Sequence, residues 1–431
     1  MGLLQYFEQT KTLAPWVHAT QPGEAFANLR QRNQFATLTS IGLLVLLWFM
    51  GQRPTISAHS AQADRSATLL VGAGAVLLAL GNAASGSRTG LLQWVLVLGL
   101  TLMWAARGQR RVVAMGAFAL AAYAIATLAL PWALQAVAGV QSNGLLGRFQ
   151  EEVGCSSRLT LWSNVLHLIA QKPWLGWGWG NLDYAHFITL YPGERFCEIL
   201  DNAHNLPLHL AVELGIPVAL AFCGLCGWLI WRNRPWAETD ATRQMAWGVL
   251  AVIGLHSLLE YPLWYGPFQL AVVLCIWMLW RSPAQEAESE EKRPLAPVWS
   301  ARIAIVLIAV CGYAGWDYWR ISQIYLAPDA RNAAYRDDTL AKIQGSWLFR
   351  DQVRFAELTT TTLTPDNAAH VNALAKDMLH FSPESRVVEK VIESAVMLGD
   401  DAQALFYLQR YKAAFPAQHA RWSTKLKTPP T

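Results

Sequence analysis

The side chains in this 431-residue chain best suited to chemistry are a few histidines, arginines and carboxylates set beside apolar runs. His204 stands in Asp201-Asn-Ala-His-Asn205, directly ahead of an apolar stretch, where a neutral imidazole can take a proton near pH 7. Asp201 and Asn205 are close enough in sequence to orient that ring, and Glu213 follows about two to three helical turns on. His209, one turn beyond Asn205, is the rival. His256 is a third candidate, in His256-Ser-Leu-Leu-Glu-Tyr-Pro-Leu-Trp-Tyr265, with Glu260 one turn later on the same helix face. A lone histidine is more often structural, so it is its surroundings that single out His204.

Arg88, in Ser85-Gly-Ser-Arg-Thr-Gly90, and Arg158, in Arg158-Leu-Thr-Leu-Trp162, lie at the edges of apolar segments, where a guanidinium is expensive and points to function. Facing one cavity, the pair would suit a diphosphate, because planar forks bind phosphate oxygens bidentately and stay charged. Either arginine alone reads as an anchor to lipid headgroups. No Asp-x-Asp cluster or zinc-spaced His/Cys set stands out, so a mechanism without metal or cofactor is expected. The run Lys172-Pro-Trp-Leu-Gly-Trp-Gly-Trp-Gly180 is too glycine-rich for a lasting helix and reads as a reentrant or surface-lying turn.

Membrane elements must position these groups. The chain is 53% apolar and only 15% charged, with 21 tryptophans, against about 25% charged in ordinary soluble proteins. A net charge of +4 is too small to suggest a nucleic-acid partner. A bilayer core needs about 20 apolar residues of helix. Eight runs qualify, roughly Phe35–Met50, Ala67–Gly81, Thr89–Ala106, Val112–Leu134, Leu206–Trp231, Met245–Leu259, Leu263–Trp280 and Ala301–Trp319. Lys and Arg are retained on the cytoplasmic side, and Arg53, Arg65, Arg107, Arg110, Arg111, Arg232, Arg234, Arg243, Arg281, Lys292 and Arg293 fall in alternate loops. With those loops inside, residues 1–34, 137–204 and 321–431 face outward.

The expected architecture is all-α: a polytopic bundle with helices one to four in 35–136 and five to eight in 205–320. A large outer loop spans 137–204. Residues 321–431 form a helical domain with degenerate tetratricopeptide-like pairs over Asn367–Leu379, Glu384–Leu398 and Asp401–Phe415, either a cap or a docking surface for an acceptor protein. No cleavable signal peptide is expected, because a polar stretch precedes the first apolar run. Cys223, Cys226, Cys275 and Cys311 lie in apolar helices as small buried residues. Cys155 and Cys197, both in the outer loop, are expected to form a disulfide in an oxidising compartment.

The order of Arg30-Gln-Arg-Asn-Gln34, Ser87-Arg-Thr-Gly90, Arg158 with Trp162, Pro173-Trp-Leu-Gly-Trp-Gly178, His204-Asn-Leu and Glu213-Leu-Gly215 resembles the O-antigen ligase and Wzy-type polymerase superfamily. The His256 to Tyr265 run and the helical tail look most like its PglL-like, protein-glycosylating branch. The resemblance implies a bacterial inner-membrane enzyme whose periplasmic site moves a glycan from undecaprenyl diphosphate to an acceptor hydroxyl. That acceptor is a Ser or Thr of a pilin-like protein or, in the ligase and polymerase branches, a sugar such as that of a lipid A core. It implies His204 as the essential base, Arg88 and Arg158 on the diphosphate, and attack that inverts the anomeric centre. Asp201 or Glu213 would hold the productive tautomer. Relatives carry further membrane helices before Gln31-Arg-Asn, so a shortened N-terminus is expected. A lipid-carrier transporter or non-catalytic scaffold on the same helices is the reading from another class, and it would not require His204.

Overall fold

The computed structural model describes residues 1–13, 16–52, 61–105, 110–141, 144–147, 154–281 and 296–427, and all regular structure among them is helical. The helices are α1 (Gly2–Tyr6), α2 (Arg32–Gly51), α3 (Ala61–Ser85), α4 (Arg88–Ala105), α5 (Arg110–Ala138), α6 (Gly144–Gly147), α7 (Arg158–Gln171), α8 (Leu182–Ile188) and α9 (Leu206–Leu214). They continue with α10 (Ile216–Asn233), α11 (Ala241–Ser257), α12 (Gly266–Trp280), α13 (Ala296–Ser322), α14 (Thr339–Ile343), α15 (Arg350–Thr360), α16 (Ala368–Met378), α17 (Ser385–Met397), α18 (Asp401–Ala414) and α19 (Pro416–Lys427). Six of the described helices are long and apolar enough to cross a bilayer: α2, α3 from Arg65, α4, α5, α10 with the turn after it, and α13 from Ala301. The protein is a multi-pass membrane protein. The sixth and seventh apolar runs of the sequence fold as α11 and α12, of 17 and 15 residues. Arg53 and the linker residues from Ser282 to Leu295 lie outside the described residues.

Contacts divide the chain into two units, the first being Met1–Arg158, Asn202–Leu210 and Pro217–Pro283. Within it α2 packs against α3, α4, α5 and α11. Small side chains permit this: Ala36, Ala75, Ala79, Ala119 and Ala246 are fully buried, so backbones approach closely where lipid supplies no hydrophobic drive. Leu43, Leu44, Leu47, Trp94 and Val249 fill the space between them. Both long helices start on side-chain caps: Gln31 accepts the Gln34 amide at 2.8 Å to open α2, and Asp240 accepts the Arg243 amide at 2.8 Å to open α11. The N-terminal segment is ordered by Gln5, whose buried amide donates to the His18 and Ala27 carbonyls and accepts the amides of Phe26 and Ala27.

The second unit comprises Leu159–Asp201, Ala211–Ile216 and Ala284–Thr431. Its core joins Val371, Leu374, Val387, Val388, Val391 and Ile392 to Phe187, so α8 of the long loop packs on the C-terminal helices. Tyr184 stacks on His380 at 3.8 Å, and Arg410 donates to the Ile188 carbonyl at 2.7 Å. At the end of α13 the fully buried Asp317 accepts from Arg320 at 2.6 Å and Ser346 at 2.8 Å.

The fifth apolar run differs from its expectation. It is not one span but two helices, α9 and α10, broken at Gly215 (φ 90°). The break frees carbonyls and amides that a low-dielectric setting cannot leave bare. The glycine-tryptophan run satisfies them: Trp177 and Gly178 amides donate to the Val212 and Glu213 carbonyls, each at 2.9 Å, and the Ile216 amide donates to Pro173 at 2.8 Å. The run is therefore a loop laid along a helix break rather than a free turn. Gly176 (φ 67°) and Gly215 face the opposing backbone so closely that a Cβ would fall on the Glu213 and Trp174 carbonyls respectively. Gly215→Ala and Gly176→Ala should each destabilise the protein by about 1–3 kcal/mol or more, from left-handed strain plus overlap. The readout is thermal melting in detergent, and unchanged melting for both would refute the account.

Candidate functional site

A nearly buried carboxylate organises the site. Helix α11 ends at Ser257, and Glu260 sits in the closing turn, its amide donating to the His256 carbonyl at 2.8 Å. Three donors converge on the side chain. His204 Nδ1 lies 2.7 Å from Oε2, and Oε1 accepts from Arg158 Nη2 and, at 3.3 Å, from Asn33 Nδ2. Burial pushes the Glu260 carboxyl up, but the His204 hydrogen bond and the charges of His204, Arg158 and His256 outweigh it and hold the group below its ordinary value. An ionised carboxylate only accepts, so Nδ1 of His204 carries a proton, and in the ring's neutral form Nε2 is the basic nitrogen. Side chains of His204 and Arg158 remain 21% and 30% exposed, enough to meet a substrate, whereas Glu260 is at 6%.

The backbone is shaped around this pair. His204 adopts a left-handed conformation (φ 50°), a strained geometry for a residue with a Cβ, and its amide donates to Asn202 Oδ1 at 2.7 Å. Tyr261 packs edge-on to the imidazole at 5.0 Å. Asn205 ties the start of α9 to the end of α11, donating to the Leu258 carbonyl at 3.0 Å and capping the Leu208 amide at 3.1 Å. Arg158 and Glu260 are 102 residues apart in sequence, and His204 and Glu260 are 56 apart, so only folding brings them together.

Other sequence candidates sit elsewhere. The carboxylate on His204 is Glu260 rather than Asp201 or Glu213. Asp201 and Glu213 belong to the second unit, where both raise the Asp183 carboxyl. Glu260 does not continue the helix of His256, because α11 stops first. His256 is fully buried, its Nδ1 2.7 Å from Thr37 Oγ1, which also accepts from Gln93 at 2.8 Å. His209 is buried edge-on against Trp264. Arg88 is the first residue of α4, and the hydroxyl of Ser87 before it donates to Asn33 Oδ1 at 2.6 Å. Cys155 and Cys197 are both disulfide-bonded, while Cys223, Cys226, Cys275 and Cys311 carry free thiols. Sequence reasoning gave no individual role to Asn33 or Ser87, which it met only inside longer motifs, and passed over Thr37 and Gln93. A usable signal existed, since Asn33, Thr37 and Ser40 form a polar stripe at helical spacing on a mostly apolar helix.

A bundle of apolar helices thus brings a histidine, a carboxylate and an arginine together at one cluster. Three family profiles match: "Protein glycosylation ligase" over residues 25–49, "O-Antigen ligase" over 73–223, and "Virulence factor membrane-bound polymerase, C-terminal" over 244–428. The chain is 25% identical over 310 residues to a general O-oligosaccharyltransferase of Acinetobacter baylyi, covering 70% of this chain and 50% of that protein. It is 24% identical over 251 residues to a ComP-specific O-oligosaccharyltransferase of the same organism, covering 58% and 43%. The chain thus spans about half the length of the curated relatives it matches. No solved structure matches it. The chain is thus similar, in separate segments, to O-antigen ligases, to protein glycosylation ligases and to two O-oligosaccharyltransferases.

Asp183 yields a test of the second unit. Burial first, then the charges of Asp201 and Glu213, raise its carboxyl to about 7, against the lowering effect of the Tyr184 amide. A raised folded-state value means stability that is full below the unfolded value of about 4 and is lost as pH climbs through about 7. Asp183→Asn keeps the oxygen that accepts the Tyr184 amide at 2.7 Å and removes the ionisation. Its melting temperature should exceed wild type by a margin that is wider at pH 8 than at pH 5. A margin independent of pH would count against the assignment.

Proposed function

We propose that this protein is a glycosyltransferase of the bacterial inner membrane. It transfers a glycan from undecaprenyl diphosphate to a Ser or Thr hydroxyl of a periplasmic protein such as a pilin. The observation that carries the reading is the His204–Glu260–Arg158 cluster, a base and a cation sharing one carboxylate. Residues 1–34, 137–204 and 321–431 are assigned to the periplasmic side by the charge pattern of the loops.

The chemistry runs as a single displacement. The acceptor hydroxyl oxygen attacks the anomeric carbon, its proton passes to His204 Nε2, and the bond to the diphosphate oxygen breaks, inverting the centre. Glu260 keeps Nδ1 protonated and stabilises the imidazolium as it forms, the logic of a carboxylate-held histidine base. Arg158 gives one guanidinium nitrogen to Glu260, and four of a guanidinium's five N–H donors point beyond a single such bond. With Arg88 it supplies charge to the leaving diphosphate, so the scheme calls on no metal. A lipid-linked donor is supported by a cavity of about 690 Å³ in the first unit, lined by Leu100, Trp104, Phe222, Trp247, Leu250 and Leu263. It extends to Leu206 and Leu258, beside the site, and is of ordinary ligand-site size.

A protein acceptor is favoured by the protein glycosylation ligase match and by the names of the two Acinetobacter relatives. The O-antigen ligase match over 73–223 favours the second reading, a sugar hydroxyl acceptor such as a lipid A core or growing O-antigen.

The test is transfer by the purified protein from a polyprenyl-diphosphate glycan, with a pilin or a lipid A core offered as acceptor. His204→Ala should lower the rate at saturating donor by about 10²–10⁴. Glu260→Gln should lower kcat by losing the tautomer and the imidazolium partner. Arg158→Ala should also raise the donor KM. Full transfer by His204→Ala would sink the base assignment, and transfer only to lipid A core would select the second reading.

A further inference from the structure

Three residues of α2, Asn33, Thr37 and Ser40, carry its polar stripe, and each finds a partner outside α2. Ser40 donates to Gln93 on α4 at 3.1 Å, Thr37 meets His256 on α11, and Asn33 donates to Glu260 just beyond α11. Asn33 differs from the other two in what it joins. Its amide nitrogen reaches the carboxylate that holds His204, while its amide oxygen accepts from Ser87, the residue before Arg88. The same Ser87 hydroxyl accepts the Gly90 amide at 2.9 Å and so fixes the first turn of α4. A side-chain amide is the group for this task, since it offers donor and acceptor on one rigid plane and carries no charge.

We propose that Asn33 is a positioning residue for the transfer reaction, bridging the Glu260–His204 pair to the Ser87–Arg88 turn. This rests on the base assignment made above and deepens it. Through Asn33, the face that meets the diphosphate and the base that meets the acceptor are set by one side chain in one geometry. Misplacement of such a pair by about 1 Å is enough for a hundredfold loss of rate. Both ends of the Asn33 amide are engaged by Glu260 and Ser87, so its effect is expected on kcat.

The charged and titratable groups acting on Glu260 are His204, Arg158 and His256. The substitution Asn33→Asp would set a second carboxylate against it. At high pH the two anions repel, and the introduced carboxylate cannot donate. As pH falls the like-charge pair takes up a proton, and the introduced group, once protonated, can donate to Glu260 as the amide did. The experiment compares wild type, Asn33→Ala, Asn33→Asp, Ser87→Ala and His204→Ala for kcat and donor KM between pH 6 and about 8.5.

Asn33→Ala is expected to lower kcat about tenfold or more with donor KM within about threefold of wild type. Ser87→Ala should move kcat in the same direction by less. The activity of Asn33→Asp relative to wild type should rise as pH falls, while that of Asn33→Ala stays flat. If Asn33→Ala does not fold, Asn33→Asp and Ser87→Ala carry the test. Wild-type kcat in Asn33→Ala and Ser87→Ala, with His204→Ala inactive, overturns the proposal and leaves the base standing. So does a pH-independent loss in both Asn33 variants, which would make the residue a packing element. Retained activity in His204→Ala overturns the base assignment itself, and this proposal with it.

Discussion

A carboxylate excluded from water must be neutralised by donors, and that constraint on Glu260 governs the first unit. Its partners come from three places in the chain: Asn33 at the start of α2, Arg158 at the start of α7, and His204 ahead of α9. None of those segments can shift alone without leaving a buried charge short of a partner. The left-handed backbone at His204 fits this picture, being strain that the surrounding bonds from Asn202, Asn205 and Glu260 hold in place. Strain of that kind gathers where a side chain must be aimed rather than merely packed.

A second constraint is the satisfaction of backbone groups. A span broken at Gly215 exposes peptide groups, and the loop from Pro173 to Gly178 closes that gap with its own amides and carbonyl. The two glycines give the approach its room, and Trp177 is fixed by its indole donating to the Leu168 carbonyl at 3.0 Å and by Lys172 over its ring. The loop is as much a part of the helix it completes as of α7 before it. In the same unit, Phe187, Tyr184 and Ile188 of α8 are built into the C-terminal helices, so the long loop and the tail share one core.

Polar side chains inside the bundle follow one pattern. Thr37, Ser40, Gln93 and His256 bond one another in the interior, which pins α2, α4 and α11 in register where apolar packing alone would let them slide. One turn above them the same face of α2 carries Asn33. Registry in the interior and geometry at the site are then two ends of one stripe, and the glycan-transfer reading depends on both.

The sequence by itself determined the class of molecule. Apolar runs of membrane length, arginines in alternate loops and amphipathic tail helices announce a multi-pass helical protein, because these patterns are local and follow from the thickness of the bilayer and the pitch of a helix. It also marked His204, Arg158 and Glu260 as residues of interest, since ionisable groups beside apolar helices are costly wherever they stand. What it could not determine was pairing. Asp201, Asn205 and Glu213 are the near neighbours of His204 in the chain, yet the carboxylate that meets it lies 56 residues away, brought there by α11 ending at Ser257. Nor could hydropathy show the break at Gly215, which is invisible to an average over a window and is set by a loop some 40 residues earlier. Asn33 was hidden for the same reason: its importance lies in two hydrogen bonds across 54 and 227 residues, and only the tertiary structure decides those.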